Sequence, residues 1–207
     1  MKTDREYRAF EVRANEEEKR VQGYATTFNE SYTLYDDGEY EVREVIDPNA
    51  FDGCDMSDVI AQYNHEGRVL ARLSNGTLEL NVDKPNGLLI NADLGGTELG
   101  RQIYEEIKGG YTDKMSMGFK VDRSADVWTR ETVDGKTVET RRINSIIKLY
   151  DVSAVSIPAN PGTSIEARSI DALVNGEIEK LRAERLEAER VETERRRAEV
   201  MARFMED

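Results

Sequence analysis

The most regular apolar pattern in the chain is "KMSMGFKV", residues 114 to 121, where Met115, Met117, Phe119 and Val121 alternate with Ser116, Gly118 and Lys120. Strand side chains point to opposite faces in turn, so the pattern predicts a β-strand with its apolar set inward and Ser116 outward, beside a glycine that leaves the backbone uncovered. Such a face suits either a solvated edge or a nucleophile with open space above its hydroxyl. Other short runs bounded by turn formers read as strands: "RVQGYATTFNE", "YEVREVI", and a meander of "RVLARL", "TLELNV" and "LLINADL". The first two strands of that meander are predicted to join tightly at Asn75-Gly76, a dipeptide that accepts positive φ. "TELGRQIYEEIKGG" is the best helix of this region, with Leu99, Ile103 and Ile107 four apart and a Gly109-Gly110 stop. Val127 to Val133 and Lys136 to Arg142 predict a hairpin about Asp134-Gly135, and a further strand lies between Ile143 and Ile157, before Pro158.

Many antiparallel strands with one or two helices predict an α+β fold built on a small β-barrel, which leaves few exposed edges. From about residue 165 the character changes. Residues 175 to 207 hold ten acidic and eight basic side chains with no proline and a single glycine, Gly176, a strong helix composition without a strict heptad. The expected organisation is a barrel domain over residues 1–165 and a charged helical extension over 166–207. The bland reading of that extension is a solvated helix carrying opposite-charge pairs; the other is a helix that docks on a partner.

The net charge of −13 and pI near 4.7 argue against binding a phosphate backbone, which is driven by Lys and Arg releasing counterions. No stretch approaches the roughly 20 apolar residues that span a bilayer, and the N-terminus lacks a secretory pattern. One cysteine, Cys54, cannot close an internal disulfide, so a reducing cytoplasm is the expected compartment. With a single histidine, His65, a metal site would need Cys54 and two carboxylates, and no two of these show ligand spacing. Neither metal nor cofactor is expected.

The candidate chemistry falls on three segments. His65 stands in "AQYNHEGRVLARL", a polar loop entering a strand, and an imidazole there can take a proton from a hydroxyl at cellular pH. Ser116 offers a nucleophile, although a serine on a polar strand face is commonly just solvated. Asp151, in "KLYDVSAVSIPANPGT", interrupts an apolar strand; a carboxylate there must face solvent or find a cationic or hydrogen-bonding partner. Ser153 shares its face and is a rival nucleophile. Cys54 lies between Asp52 and Asp55, whose charges raise a thiol pKa and favour an inert thiol.

In order and spacing, "GYATTFNE", "VIDPNAFDG", "YNHEGRVLARLSNGTLEL", "DKMSMGFKV" and "LYDVSAVSIPANPGT" resemble the prohead (capsid maturation) proteases of tailed phages, over roughly residues 20 to 165. The resemblance implies a serine protease related in fold to the herpesvirus capsid-assembly proteases. Its histidine motif falls on "NH", making His65 the general base, and its serine motif falls on "SMG", making Ser116 the nucleophile with Met117 and Gly118 beside the substrate. The third family position is usually a glutamate before Val-Ser; here it is Asp151, which keeps the charge that orients an imidazole on a side chain one methylene shorter. The related herpesvirus enzymes stabilise the oxyanion with an arginine-bearing loop, for which Arg141 and Arg142 are the candidates.

The implied role is cleavage of the scaffolding part of the major capsid protein, and of the enzyme itself, inside the immature capsid in the host cytoplasm. The portal and a second copy of the chain are further candidate partners. Two rival readings remain at this point: a non-enzymatic assembly protein that keeps the fold with a degenerate triad, and a cysteine hydrolase using Cys54 and His65.

Overall fold

The computed structural model describes residues 6–15, 19–155 and 167–205, with side chains described over 19–155 and 176–196. In chain order the elements are β1 (Glu6–Asn15), β2 (Arg20–Thr27), β3 (Tyr32–Asp36), β4 (Tyr40–Ile46), β5 (Ile60–Tyr63), β6 (Glu66–Arg72), β7 (Leu78–Asp83), β8 (Gly87–Asp93), α1 (Glu98–Lys108), β9 (Lys114–Val121), β10 (Val127–Val133), β11 (Lys136–Ile143), β12 (Ile146–Val155) and α2 (Ala167–Met205). The chain divides into two compact units, Met1–Ile170 and Asp171–Asp207.

The first unit is α+β and mainly antiparallel. One sheet runs β6-β5-β12-β9-β1-β2-β8-β7 and a second runs β10-β11-β4-β3; β12 pairs in parallel with β5, β11 pairs in parallel with β4, and an isolated parallel bridge joins Asp55 to Lys148. The apolar face of β9 is buried as its alternation predicts, and Met115, Met117, Phe119 and Val121 join Val21, Ala25, Leu88, Ile90 and Val152 in one core. Helix α1 packs against β1, β2 and β6 and turns Ile103, Tyr104 and Ile107 into that core. Thr97 caps its start by accepting from the Gly100 N–H, and Gly110 ends it at φ +74°.

Three expectations need correction. The barrel is not closed: β6 and β7 are the two edges of the eight-stranded sheet, and no ladder joins them among the described residues. Asn75-Gly76 accordingly does not make a hairpin. Asn75 ends a single 3-10 turn, Leu73–Asn75, and Gly76 caps it in the left-handed region by donating to the Leu73 carbonyl. The positive φ is used as the sequence implies, but to carry the chain from one sheet edge to the other; there Thr77 Oγ1 accepts from the Arg72 N–H where a ladder would otherwise form. Thirdly, the polar face of β9 is not solvated. Ser116 and Gly118 are as buried as their apolar neighbours, because β9 and the second half of β12 are covered on both sides.

The hairpin about Asp134-Gly135 forms as expected, with positive φ at both turn residues. Its second strand carries Arg141, fully buried, opposite Glu44 of β4. Arg141 donates through Nη1 to Glu44 Oε2 at 2.9 Å and through Nε to Asp126 Oδ2 at 2.8 Å, and Tyr32 donates its hydroxyl to Glu44 Oε1. Next along β4, Glu41 receives two bonds from Arg43, one from Thr33, and an ion pair from Lys136; the Arg43 guanidinium leads in holding its carboxyl down at about 2.

In the second unit α2 bears the ion pairs expected of a solvated helix: Lys180–Glu177, Arg182–Glu179 and Arg190–Glu187 at i,i+3, and Arg185–Glu189 and Arg196–Glu192 at i,i+4. Leu186 and Val191 lie exposed among them. The segment around Pro158 and Pro161 lies outside the described residues.

Two outcomes follow for stability. Arg141→Met leaves two buried carboxylates without their cation and lowers unfolding free energy by about 3–5 kcal/mol, read from urea titration. Glu41, with its folded pKa depressed from 4.5 to about 2, contributes stability that is complete above its unfolded pKa and is lost as pH falls through that window. Glu41→Gln therefore flattens the acid limb of the stability profile between those values, and an unchanged limb refutes the assignment.

Candidate active site

Three neighbouring elements bring the sequence candidates together. Strand β12 lies between β5, with which it is parallel, and β9, with which it is antiparallel. Asn64 and His65 are the two residues joining β5 to β6, across the pair Tyr63–Glu66. Both have positive φ, +50° and +58°, as a tight type I′ connection requires; asparagine and histidine are among the non-glycine residues that tolerate it. The Asn64 N–H donates to the Ala154 carbonyl at 2.9 Å and pins the turn to β12. The polar loop of the sequence reading is thus a hairpin tip, and its side chain reaches back to Asp151.

His65 Nδ1 lies 2.5 Å from Asp151 Oδ1. Asp151 is 1% exposed and the His65 side chain 10%. An ionised carboxylate only accepts, so Nδ1 is the donor of this bond. The same Oδ1 accepts from the hydroxyl of Ser153 at 2.8 Å. Asp151 has found the partners that an in-strand carboxylate requires, and it is not outward-pointing.

Ser116 reaches this carboxylate's face through a feature the sequence does not reveal. On β12, Leu149 pairs with Phe119 but Asp151 pairs with Gly118, so Tyr150 is one extra residue, a β-bulge. Without it Asp151 would stand opposite Met117, in phase with the apolar face. With it, Ser153 lies directly opposite Ser116, and Asp151 opposite Gly118, a position with no side chain to fill the space. Ser116 and Asp151 are then diagonal neighbours on one face, roughly 7–8 Å apart by sheet geometry, a gap of imidazole size. Ser116 is 1% exposed, and its Oγ is buried with no hydrogen-bond partner among the described residues.

The remaining candidates are placed differently. Met117 is buried in the core, and its strand is laddered on both sides, to β1 and β12, which occupies the main chain at Met117 and Gly118. Arg141 and Arg142 belong to β11 of the four-stranded sheet. Arg141 is engaged with Glu44 and Asp126, and Arg142 with Asn29 and Asp47. Neither role at an oxyanion gains support. Cys54 packs against the core, and its pKa is pushed up to about 11, by burial first and by Asp55 second; Asp52, which the sequence also suggested, takes no part, its carboxylate being paired with Lys84. Among the described residues no three His, Cys, Asp or Glu side chains gather as metal ligands.

The family model of the caudovirus prohead serine protease matches residues 8–175. That match covers most of the chain, and the chain belongs to the caudovirus prohead serine protease family. It is accordingly a serine protease of phage capsid maturation, with a capsid protein as its general class of substrate. No curated protein and no solved structure matches the chain. No helix among the described residues is long and apolar enough to cross a membrane.

At pH 8 a thiol of pKa about 11 holds roughly 100-fold less thiolate than one at 9.0. Cys54 is therefore alkylated by iodoacetamide about that much more slowly than an unhindered cysteine, as intact mass against time will show; a rate like that of a free thiol overturns the assignment of a raised pKa to this partly buried thiol.

Proposed function

We propose that the chain is a serine endopeptidase in which Ser116 is the nucleophile, His65 the general base and Asp151 the residue that positions His65. The observation that carries this is the 2.5 Å contact between His65 Nδ1 and Asp151 Oδ1, with Ser116 on the same face one diagonal step away. Asp151 holds the imidazole in the tautomer whose Nε2 accepts the Ser116 proton. Attack on a scissile carbonyl gives a tetrahedral oxyanion; its collapse, with His65 returning the proton to the leaving amine, gives an acyl-enzyme that water hydrolyses. The substrates are the scaffolding part of the major capsid protein and the chain itself, within the immature capsid, and the charged helix α2 supplies a segment outside the catalytic unit for entry into the assembling shell. Kinship with the herpesvirus capsid-assembly proteases belongs to the same reading.

Ser116 is 1% exposed, so a polypeptide reaches its hydroxyl only once that hydroxyl is uncovered. That burial is also the observation favouring the second reading, an assembly protein whose triad is silent.

Co-expression with the cognate major capsid protein, followed by intact mass, separates the two. The wild type truncates the capsid protein at one site and Ser116→Ala does not. Asp151→Asn, which favours the wrong tautomer, slows truncation on the order of 1,000- to 10,000-fold. Equal, full-length masses with wild type and Ser116→Ala, in a preparation that still assembles shells, support the silent-triad reading.

A further inference from the structure

We infer that Ser153, the rival nucleophile of the sequence, is instead a positioning residue that fixes the Asp151 carboxylate for His65; this rests on the protease reading above. Two serines face each other across β12 and β9, and their hydroxyls are used differently. Ser153, fully buried, donates its proton to Asp151 Oδ1 at 2.8 Å, whereas Ser116 Oγ is uncommitted among the described residues. A hydroxyl whose proton is held by a carboxylate is not the one an imidazole activates.

The need for Ser153 comes from Asp151 itself. The terminal torsion of an aspartate is broad and roughly two-fold, so one contact to an imidazole does not fix the plane of the carboxylate. Asp151 Oδ2 has no partner among the described residues, and Gly118 across the ladder offers no side chain to wedge it. Ser153, two residues along the same strand and therefore on the same face, supplies the second point on Oδ1. Two donors converging on one oxygen set which oxygen His65 meets and the plane in which its ring lies. Ring placement matters because about 1 Å of displacement at a reacting group can cost on the order of 100-fold in rate.

His65 is the only histidine in the chain, so imidazole ¹⁵N–¹H spectra of the whole protein report on this residue alone. The experiment compares wild type, Ser153→Ala, which removes the donor, and Ser153→Thr, which keeps it. Ser116→Ala serves as the inactive control. Each is checked for folding by circular dichroism, read by NMR, and assayed by co-expression with the capsid protein. In Ser153→Ala the Nδ1 proton signal broadens or shifts and truncation slows about 10- to 100-fold, the range of one lost hydrogen bond to a charged group. Ser153→Thr restores both. If Ser153→Ala does not fold, Ser153→Cys, with similar volume and a weak donor, takes its place.

An unchanged His65 spectrum in Ser153→Ala overturns the inference whatever the rate does, and so does a folded Ser153→Thr that behaves like Ser153→Ala. Abolished truncation in both Ser153 variants, with Ser116→Ala still active, overturns it in favour of Ser153 as nucleophile. If the wild type truncates nothing, the protease reading falls, and the His65 spectrum still decides whether Ser153 orders the pair.

Discussion

A carboxylate buried in the middle of a sheet is expensive unless it is met by hydrogen bonds and a countercharge, and Asp151 is such a group. Much of the local structure is arranged around that cost. The bulge at Tyr150 turns Asp151 away from the apolar core and onto the face of Ser116; Gly118 stands across the ladder with nothing to crowd it; and the turn at Asn64-His65 bends an imidazole back over β12. The Asn64 amide bond to Ala154 keeps that turn from swinging free. Each feature is local, but together they convert an isolated charge in a strand into a fixed acceptor with two donors.

The sequence made some of this readable and hid the rest for physical reasons. "YEVREVI" coincides with β4, and the Asp134-Gly135 hairpin forms where turn chemistry and flanking alternation agree. Asn75-Gly76 misled because the positive φ it permits serves a helical cap as readily as a hairpin; the dipeptide specifies a conformation, not a pairing. Alternation in "KMSMGFKV" gave the inward set correctly, yet small residues such as Ser116 and Gly118 look the same whether water or protein covers them. Asp151 was legible as an anomaly in need of a partner, but its partner is 86 residues away and was named through family resemblance. The bulge had no signal, because an extra residue changes the phase of a ladder and leaves composition untouched.

The arginine pair shows how strand periodicity divides what sequence adjacency joins. Arg141 and Arg142 project to opposite sides of β11. One becomes the buried cation that Glu44 and Asp126 share, and the other ties Asn29 and Asp47 at the periphery. Their charges are committed to holding the smaller sheet together, the same economy that on the larger sheet gives the Ser153 hydroxyl to a carboxylate. In both sheets a buried carboxylate is met by more than one donor: Glu44 by Arg141 and Tyr32, Asp151 by His65 and Ser153.

The order of strands carries one more consequence. Among the described strands β12 is the last in the chain, yet it occupies an interior place, between the strand that leads to His65 and the strand that bears Ser116. A growing polypeptide emerges with its histidine and serine already present but with no strand to set them side by side and no carboxylate to hold the ring. On the proposed reading, the ability to cut arrives with the closing move of folding, and an unfinished chain is harmless to itself and to its neighbours.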